Sequence, residues 1–322
     1  MSWLNDLKYN PIEPLLNSEH KAIIYWTKKD LLEQRQQSSK DALWDLPIAR
    51  KILRRQQANS SWLYPGRQSW AAVDYDQIET YRQLGFLVEM FGFTKEHPAI
   101  ENAKEYVLNK QTADGDIRGI YAKQYSPNYT AAFLELFVKA GYADDRRIAK
   151  AFEWLISHRV NDGGWALALR TQGLNLDAIY NNNRSELDKT KPYSHFVTGV
   201  VLRSFAAHAK YRYSDVAKNA AKLLADRFFT KDIYADKCRV DDWTRFSFPF
   251  WQTDILSSLN SISFIDPQMD NLQIEKAKQW LISHQEPNGL FAGHLLKDRY
   301  HDLRLWYSLA ICRTLKRLSL EN

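Results

Sequence analysis

The chain has 322 residues, enough for one large domain or two ordinary ones, and its composition of 45% hydrophobic and 25% charged residues is that of a globular protein. Its net charge of +6 comes from 44 basic and 38 acidic residues, without the basic stripe or motif that marks a nucleic-acid-binding protein. It has two cysteines and no apolar run of about 18 residues, so we expect a soluble, cytoplasmic protein without disulfides or a membrane span.

One short pattern recurs along the chain. "WLISH" occupies residues 154–158 and again 280–284, and each copy runs into a glycine loop, "RVNDGGW" or "QEPNGLF". Weaker copies begin at residues 52 and 106 and a degraded one near 222; we place Gln57 in the column that holds Gln111 and Gln285. The spacing of roughly 50 to 70 residues is enough for two helices and two connections per repeat.

Each repeat reads as a helix, a glycine loop and a second helix. The first helix is amphipathic, as in residues 144–158, whereas the second is apolar on more sides, as in residues 127–142 and 193–209. Because a helix that is apolar all round is usually buried, we predict outer and inner helix layers. No period-2 strand pattern occurs. The predicted fold class is therefore all-α, an α/α toroid in which the repeated helix hairpins close into a ring.

We predict a single domain over residues 1–322. It begins with an N-terminal extension, residues 1–18, and has one long irregular segment, residues 167–191, of a length that is usually functional or disordered. The predicted repeats cover about 19–66, 67–119, 120–173, 192–240 and 241–318.

The columns Trp-Leu, Gln and Asp-Gly-Gly-Trp, clearest in residues 154–165, resemble a known repeat. It is shared by squalene and other class II terpene cyclases and by the beta subunits of protein prenyltransferases. The resemblance covers residues 20–318 through the repeat spacing. It implies an α/α toroid with an apolar, aromatic-lined central cavity that takes isoprenoid chains, and hence a transferase or an isomerase.

In the terpene cyclases, an Asp-x-Asp-Asp motif at the head of an inner helix supplies the acid that protonates an alkene or epoxide. Such a weak base needs a buried carboxylic acid with a tuned pKa. "VDYDQ" at residues 73–77 matches the first two acids with Asp74 and Asp76, while Gln77 replaces the third. "RVDDW" is a weaker match. The alternative is that Asp74 caps the helix and Asp76 lies in its first turn.

In the prenyltransferases, zinc is held by an Asp-x-Cys pair and by the His of an Asp-x-Tyr-His segment. "DRYHD" supplies Asp298, Tyr300 and His301, which makes Asp298 and His301 catalytic candidates by resemblance. The pair Asp236 and Cys238 lies nine residues before the matching register, so it and His301 are weak zinc candidates. We predict no cofactor, and the resemblance leaves zinc or magnesium open.

Aromatic and polar residues cluster near the heads of the inner helices, where they could line a substrate site and meet a polar group such as a diphosphate. The candidate substrate-binding residues are Tyr129, His195, Trp243, Arg245, Phe248, Trp251, Asp254, Tyr300, Arg304 and Trp306. Core packing of the rings, and a salt bridge such as that of Arg304 with Asp254, are the alternatives.

Three functions remain open from these residues. The first is an enzyme or binding protein for an isoprenoid or other apolar small molecule, with peripheral membrane contact left open. The second is a non-catalytic toroid that binds a lipid or a protein partner. The third is a carbohydrate-active (α/α) barrel, which needs two facing carboxylates from among Asp74, Asp76, Asp241 and Asp254.

Overall fold

The computed structural model describes residues 2–35, 40–180, 184–236, 239–296 and 302–319. The chain is 53% helix and 4% strand, so the predicted class is confirmed: the protein is all-α and is built of the helix hairpins that α/α toroids repeat. The α-helices are α1 (Ile12–Leu16), α2 (Lys21–Trp26), α3 (Pro47–Leu53), α4 (Tyr75–Gly85), α5 (Pro98–Leu108), α6 (Pro127–Lys139), α7 (Arg146–Ser157), α8 (Ala168–Thr171), α9 (His195–Ala207), α10 (Asp215–Ala225), α11 (Ile255–Ile265), α12 (Leu272–Ser283) and α13 (Leu303–Leu318).

Shorter elements lie between and beyond these helices. Single π-helical turns, Thr27–Leu31 and Phe86–Met90, extend α2 and α4. The 3₁₀-helices are Ser2–Asp6, Lys40–Leu43, Leu176–Tyr180, Tyr211–Tyr213 and Val240–Thr244. Two strands of two residues each, β1 (Arg245–Phe246) and β2 (His294–Leu295), pair in parallel, although the sequence shows no strand pattern. A pair this short has too few residues to show a period of two.

Residues Lys40–Tyr211 form one compact unit, which we call the central unit. Its helices α4, α6 and α9 bury most of their side chains, and α6 packs along α9. By contrast, α7 buries only one face, the side that carries Ile148, Phe152 and Leu155. The predicted alternation of amphipathic and buried helices is thus confirmed in this unit. The segment 167–191, predicted to be irregular, contains the short helix α8.

Residues Met1–Ser39 and Arg212–Asn322 form the second unit, which we call the terminal unit. Here α11 and α13 are the buried pair, and α10 and α12 are amphipathic. The N-terminal helices pack on α13: the ammonium of Lys316 donates to the carbonyl of Asp30 at 2.8 Å and to that of Leu31 at 3.2 Å.

A glutamine side chain closes the glycine loop that follows the amphipathic helix. The Nε2 of Gln111 donates to the carbonyl of Gly115 at 2.9 Å and to that of Arg147, in the next amphipathic helix, at 2.8 Å. In the last repeat, Gln285 bonds Gly289 at 3.0 Å in the same way. One glutamine therefore fixes its own loop and joins it to the following segment.

The predicted register of the first repeat is wrong by one residue. Gln56, not Gln57, takes the glutamine position, since its Nε2 donates to the carbonyls of Ser60 at 3.1 Å and Ala99 at 3.0 Å. Ser60 stands in the glycine column with a φ of 71°, where Gly115 has a φ of 118°. The glycine column of the first repeat is hard to recognise in the sequence, because a position in the left-handed region is normally occupied by glycine and here it is a serine.

A hydroxyl on the buried helix holds the end of each of four loops. In each case the hydroxyl accepts a hydrogen bond from the backbone N–H of the residue six places after the glutamine column. The pairs are Trp62 with Thr80 at 3.1 Å, Ile117 with Thr130 at 3.0 Å, Trp165 with Thr198 at 3.0 Å and Phe291 with Ser308 at 3.0 Å. These bonds fix the backbone beside the heads of the buried helices.

The N-terminal segment supplies the partner of the last loop. The Oε1 of Gln285 accepts from the backbone N–H of Lys8 at 2.9 Å and of Tyr9 at 3.0 Å, and its Nε2 donates to the Tyr9 carbonyl at 2.7 Å. Gly289 lies so close that a Cβ there would be 2.4 Å from the carbonyl oxygen of Asn10. Residues 8–10, expected to be part of an extension, thus take the position that a following repeat has elsewhere.

Candidate functional site

The two "WLISH" copies have the same local structure. The ring of Trp154 stacks on that of His158 with centroids 4.2 Å apart, and Trp280 stacks on His284 at 3.8 Å. In both copies, the histidine Nδ1 contacts the tryptophan carbonyl, at 3.0 and 2.8 Å, and the hydroxyl of the serine before it, at 2.9 and 3.0 Å. The motif forms a helix end in both places.

Asp74 is the N-cap of α4, as the alternative interpretation predicts. Its Oδ1 accepts from the backbone N–H of Gln77 at 2.8 Å. Its carboxylate also forms an ion pair with Lys110 and accepts from the hydroxyl of Tyr106 at 3.2 Å. All three donors favour the ionised form of the Asp74 carboxyl.

Lys110 follows the end of α5, and its ammonium donates to the Tyr106 hydroxyl at 3.0 Å. Burial lowers the pKa of Lys110 to about 8. Burial, with the nearby charge of Asp76, raises the pKa of Tyr106 to about 12. Asp74, Tyr106 and Lys110 therefore form one hydrogen-bonded group.

Asp76 fixes the segment before α4. Its Oδ1 accepts from the backbone N–H of Tyr64 at 2.8 Å. The ring of Tyr64 lies 5.1 Å from that of Tyr75, and the guanidinium of Arg82 lies over it at 5.7 Å. Both acids of the predicted pair therefore bind donors of the central unit.

The remaining candidates of the central unit lie in the first turns of α6 and α9. Tyr129 contacts the rings of Tyr121 at 5.2 Å and Tyr81 at 6.2 Å, and burial raises the pKa of its hydroxyl. His195 is the first residue of α9 and is buried.

A buried ion-pair network lies deeper along the same helices. The Nε of Arg203 is 2.8 Å from the Oε2 of Glu135, the other carboxylate oxygen is 2.8 Å from the ammonium of Lys139, and Arg203 also donates to the Tyr81 hydroxyl at 3.2 Å. Burial opposes the ionisation of Glu135, but the positive charges of Arg203 and Lys139 outweigh it and lower its pKa.

Five rings of the terminal unit form two contact groups that are joined through the consecutive residues Trp306 and Tyr307 of α13. We call them together the aromatic cluster: Phe246, Phe248, Phe250, Trp306 and Tyr307. Phe248 stacks on Trp306 with centroids 5.3 Å apart and an interplanar angle of 5°, and meets Phe250 edge-to-face at 5.6 Å. Phe246 lies 4.7 Å from Tyr307. All five are buried, and the structure thus brings together Phe248 and Trp306 of the predicted substrate residues.

Two buried donors of the aromatic cluster form no hydrogen bond with any described residue. They are the indole N–H of Trp306 and the hydroxyl of Tyr307, whose side chains are 0% and 1% exposed. Burial and the negative charge of Asp254 raise the pKa of Tyr307 well above its usual value. Since a buried donor without a partner typically costs about 1–3 kcal/mol, two in one aromatic cluster call for an explanation.

The charged candidates near the cluster bind local partners. Asp254 is the N-cap of α11 and accepts from the backbone N–H of Ser257 at 2.7 Å. Arg245 lies 3.5 Å from the carboxylate of Asp242. Arg304 forms a salt bridge with Glu286, whereas the alternative interpretation offers Asp254 as its partner. The position of Arg304 near a helix head in the sequence did not show that Glu286, in the preceding loop, is its partner.

Trp243 and Trp251 lie in the same unit with different surroundings. The indole of Trp243 donates to the carbonyl of Thr230 at 2.9 Å and its ring contacts Phe228 at 5.2 Å, which is a core position. Trp251 is half-buried, and its backbone N–H donates to the hydroxyl of Ser247 at 3.1 Å.

Several predicted residues, Cys238, Asp298, Tyr300 and His301, lie outside the described residues. Asp236 is described, in a turn after α10. Across the described ranges, no group of three or more His, Cys, Asp and Glu side chains could hold a metal ion. The same part of the chain contains no helix of the length and apolarity that crossing a membrane requires.

The structure adds three residues that sequence reasoning missed. Lys110 binds Asp74, Tyr307 holds a buried hydroxyl, and His20 packs edge-to-face on Trp306 at 5.4 Å with its Nε2 3.8 Å from the carboxylate of Asp302. Only Lys110 had a signal: it stands four residues after Tyr106, as His158 does after Trp154.

The chain resembles solved structures at a distance. It is similar over 87% of its length to a protein from Actinoplanes, 88% of which is covered, with 14% identity and a TM-score of 0.43. It is similar over 98% of its length to variants of the type II terpene cyclase MstE from Scytonema, 98% of which is covered, with 10% identity and a TM-score of 0.45. One variant is in complex with its substrate, geranylgeranyl dihydroxybenzoate, and another with its product, merosterolic acid A. No protein-family model and no curated protein matches the sequence.

Proposed function

We propose that the protein binds an isoprenoid or similar apolar small molecule at the aromatic cluster of the terminal unit. The observation that supports it is the pair of buried donors, Trp306 Nε1 and the Tyr307 hydroxyl, among rings that offer no acceptor. An apolar ligand with an oxygen-bearing group would accept from these donors while its chain contacts the rings of Phe246 and Phe248.

Catalysis at this site is the second candidate, and the position of Asp254 favours it. The Asp254 side chain is 0% exposed at the head of α11, and its charge acts on Tyr307. A buried carboxyl near aromatic side chains can protonate an alkene only in its neutral form, and the rings then stabilise the cation, so this candidate requires Asp254 to be protonated when the substrate is bound. By contrast, the carboxylate of Asp74 binds Lys110.

A binding titration tests the proposed ligand. Geranylgeraniol is added to the purified protein and tryptophan fluorescence is followed, because Trp306 lies in the cluster. Phe248→Ala removes the ring stacked on Trp306, and we expect about tenfold weaker binding, since truncating a central, desolvated hot-spot residue costs more than about 1 kcal/mol. Mass spectrometry of the same mixtures shows whether a product forms and whether Asp254→Asn abolishes it.

Phe137→Ala is the matched control, because Phe137 stacks on Phe133 with centroids 6.0 Å apart in the central unit. It removes the same kind of ring pair away from the cluster and should leave the affinity unchanged. Equal weakening by both variants, or no binding to the unaltered protein, would contradict the proposal.

A further inference from the structure

The loop between α3 and α4 carries large apolar side chains on its surface. Leu63 is 61% exposed and Trp70 is 44% exposed, and Pro65, Ala71 and Ala72 between and beside them are also exposed. Clustered exposure of this kind, rather than a single exposed leucine, marks a surface that contacts an apolar partner.

This loop is held in place at both ends. The backbone N–H of Tyr64 donates to Asp76 at 2.8 Å, that of Ser69 donates to the Tyr75 hydroxyl at 3.1 Å, and the rings of Tyr64 and Tyr75 lie 5.1 Å apart. Leu63 and Trp70 are therefore presented by an ordered backbone, so contact with a partner needs little further ordering of the chain.

The surroundings of the loop are basic. Residues 46–73 contain Arg50, Lys51, Arg54, Arg55 and Arg67 and no acidic residue. Arg50 pairs with Asp45 at 3.0 Å, whereas the other four side chains are exposed and form no ion pair with a described residue. The pairing of Gln56 with Trp62 places Arg55 beside Leu63. We call Lys51, Arg54, Arg55, Leu63, Arg67 and Trp70 the basic apolar patch.

We propose that the basic apolar patch docks the protein on an anionic lipid surface. Tryptophan favours the membrane–water interface, an exposed leucine gains by entering the acyl boundary, and unpaired lysine and arginine attract anionic headgroups. The patch combines these three chemistries on the end of α3 and the fixed loop that follows it. The positive charge of the patch favours anionic lipids. The apolar side chains of Leu63 and Trp70 favour a bilayer over a soluble polyanion.

This proposal is independent of the ligand assigned to the aromatic cluster. It concerns only side chains of the central unit, and the experiment that tests it contains no isoprenoid. A protein that binds no isoprenoid could still dock through the patch, and one that binds an isoprenoid could fail to dock.

Co-sedimentation with vesicles tests the docking. The full chain is mixed with vesicles of phosphatidylcholine, with or without phosphatidylglycerol, and the bound fraction is measured at low and at physiological salt. We expect binding only to the anionic vesicles, weakened by salt because the Debye length shortens. Arg54→Ala/Arg55→Ala should weaken it about thirtyfold, since each basic residue near such a surface contributes about fivefold. Leu63→Ser/Trp70→Ser should also weaken it at least about tenfold.

Each variant has a control at an exposed site elsewhere. Arg146→Ala/Lys150→Ala removes two exposed cations of α7, and Leu272→Ser replaces a side chain that is 86% exposed. Both should bind like the unaltered chain, and far-ultraviolet circular dichroism checks that every variant is folded. Equal binding to both vesicle types, or patch variants that behave like their controls, would overturn the proposal. So would binding of single-stranded RNA, but not vesicles, through the same residues.

Discussion

Asp74 and Tyr307 are polar side chains near the heads of buried helices, one in each unit, and their surroundings differ. The carboxylate of Asp74 accepts from Lys110, Tyr106 and the backbone of Gln77, whereas the hydroxyl of Tyr307 has no partner among the described residues. The carboxylate of Asp74 is thus satisfied within the central unit, where Gln77 Oε1 and the indole N–H of Trp154 are the buried side-chain atoms without a partner among the described residues. The aromatic cluster of the terminal unit leaves donors unmatched, and the difference indicates where a ligand is expected.

The largest effect should come from breaking the matched network of the central unit. Arg203→Met leaves the carboxylate of Glu135 buried without its arginine partner, and we expect a loss of about 3–5 kcal/mol in the free energy of unfolding. Urea unfolding measures it. The double variant Arg203→Met/Glu135→Leu removes both charges and should regain most of the loss. A single variant within about 1 kcal/mol of the unaltered protein would contradict a tightly matched network.

Replacing one tyrosine by phenylalanine in each unit tests directly whether its hydroxyl has a hydrogen-bond partner. Tyr81→Phe deletes a hydroxyl that accepts from Arg203, and hydrogen bonds to charged groups contribute about 1.5–3 kcal/mol to stability. Tyr307→Phe deletes a hydroxyl without a described partner, so the ligand-free protein should change by less than about 0.5 kcal/mol or become slightly more stable. Similar losses in urea unfolding for both variants would show that Tyr307 is matched after all.

An effect smaller than that of Tyr81→Phe is expected in the glycine column, at a position of each unit that carries a different residue. Ser60 has a φ of 71° in the central unit, and Gly289 a φ of 84° in the terminal unit. Because a side chain in the left-handed region costs about 1 kcal/mol, Ser60→Gly should raise the thermal midpoint. Gly289→Ser is the reverse change. It should lower the thermal midpoint by more than Ser60→Gly raises it, because the new Cβ would also meet the backbone of Asn10. A Ser60→Gly variant of lower stability would mean that the serine side chain makes a compensating contact.

The repeat could be recognised from the sequence because its recurring residues bond or shape the backbone of each loop. Gln111 and Gly115 occur where a loop needs a donor and a positive φ, and the same need recurs at Gln56 and Gln285. Ser60 escaped detection because it meets the conformational need without being glycine. Residues 8–10 escaped as well, because their role depends on Gln285, which no local pattern connects to them.

The candidate site was less readable, for a physical reason. The aromatic content near the helix heads predicted Phe248 and Trp306, but the sequence does not record which donors lack a partner, since that depends on packing. Likewise, Asp74 was recognised as a helix cap, while its ion pair with Lys110 joins residues 36 positions apart. Composition predicts the kinds of side chain at a site, and the three-dimensional contacts decide their state.

The bond between Tyr9 and Gln285 joins residues 276 positions apart, and this separation sets an order of events during synthesis. At about 5–20 residues per second, a ribosome completes the partner of Tyr9 roughly 14–55 seconds after Tyr9 itself. Residues 40–211 emerge whole within that interval and can fold first. Residues 8 and 9 cannot form their bonds to Gln285 until that residue is made, so a chaperone that acts on the nascent chain would find a substrate in this segment.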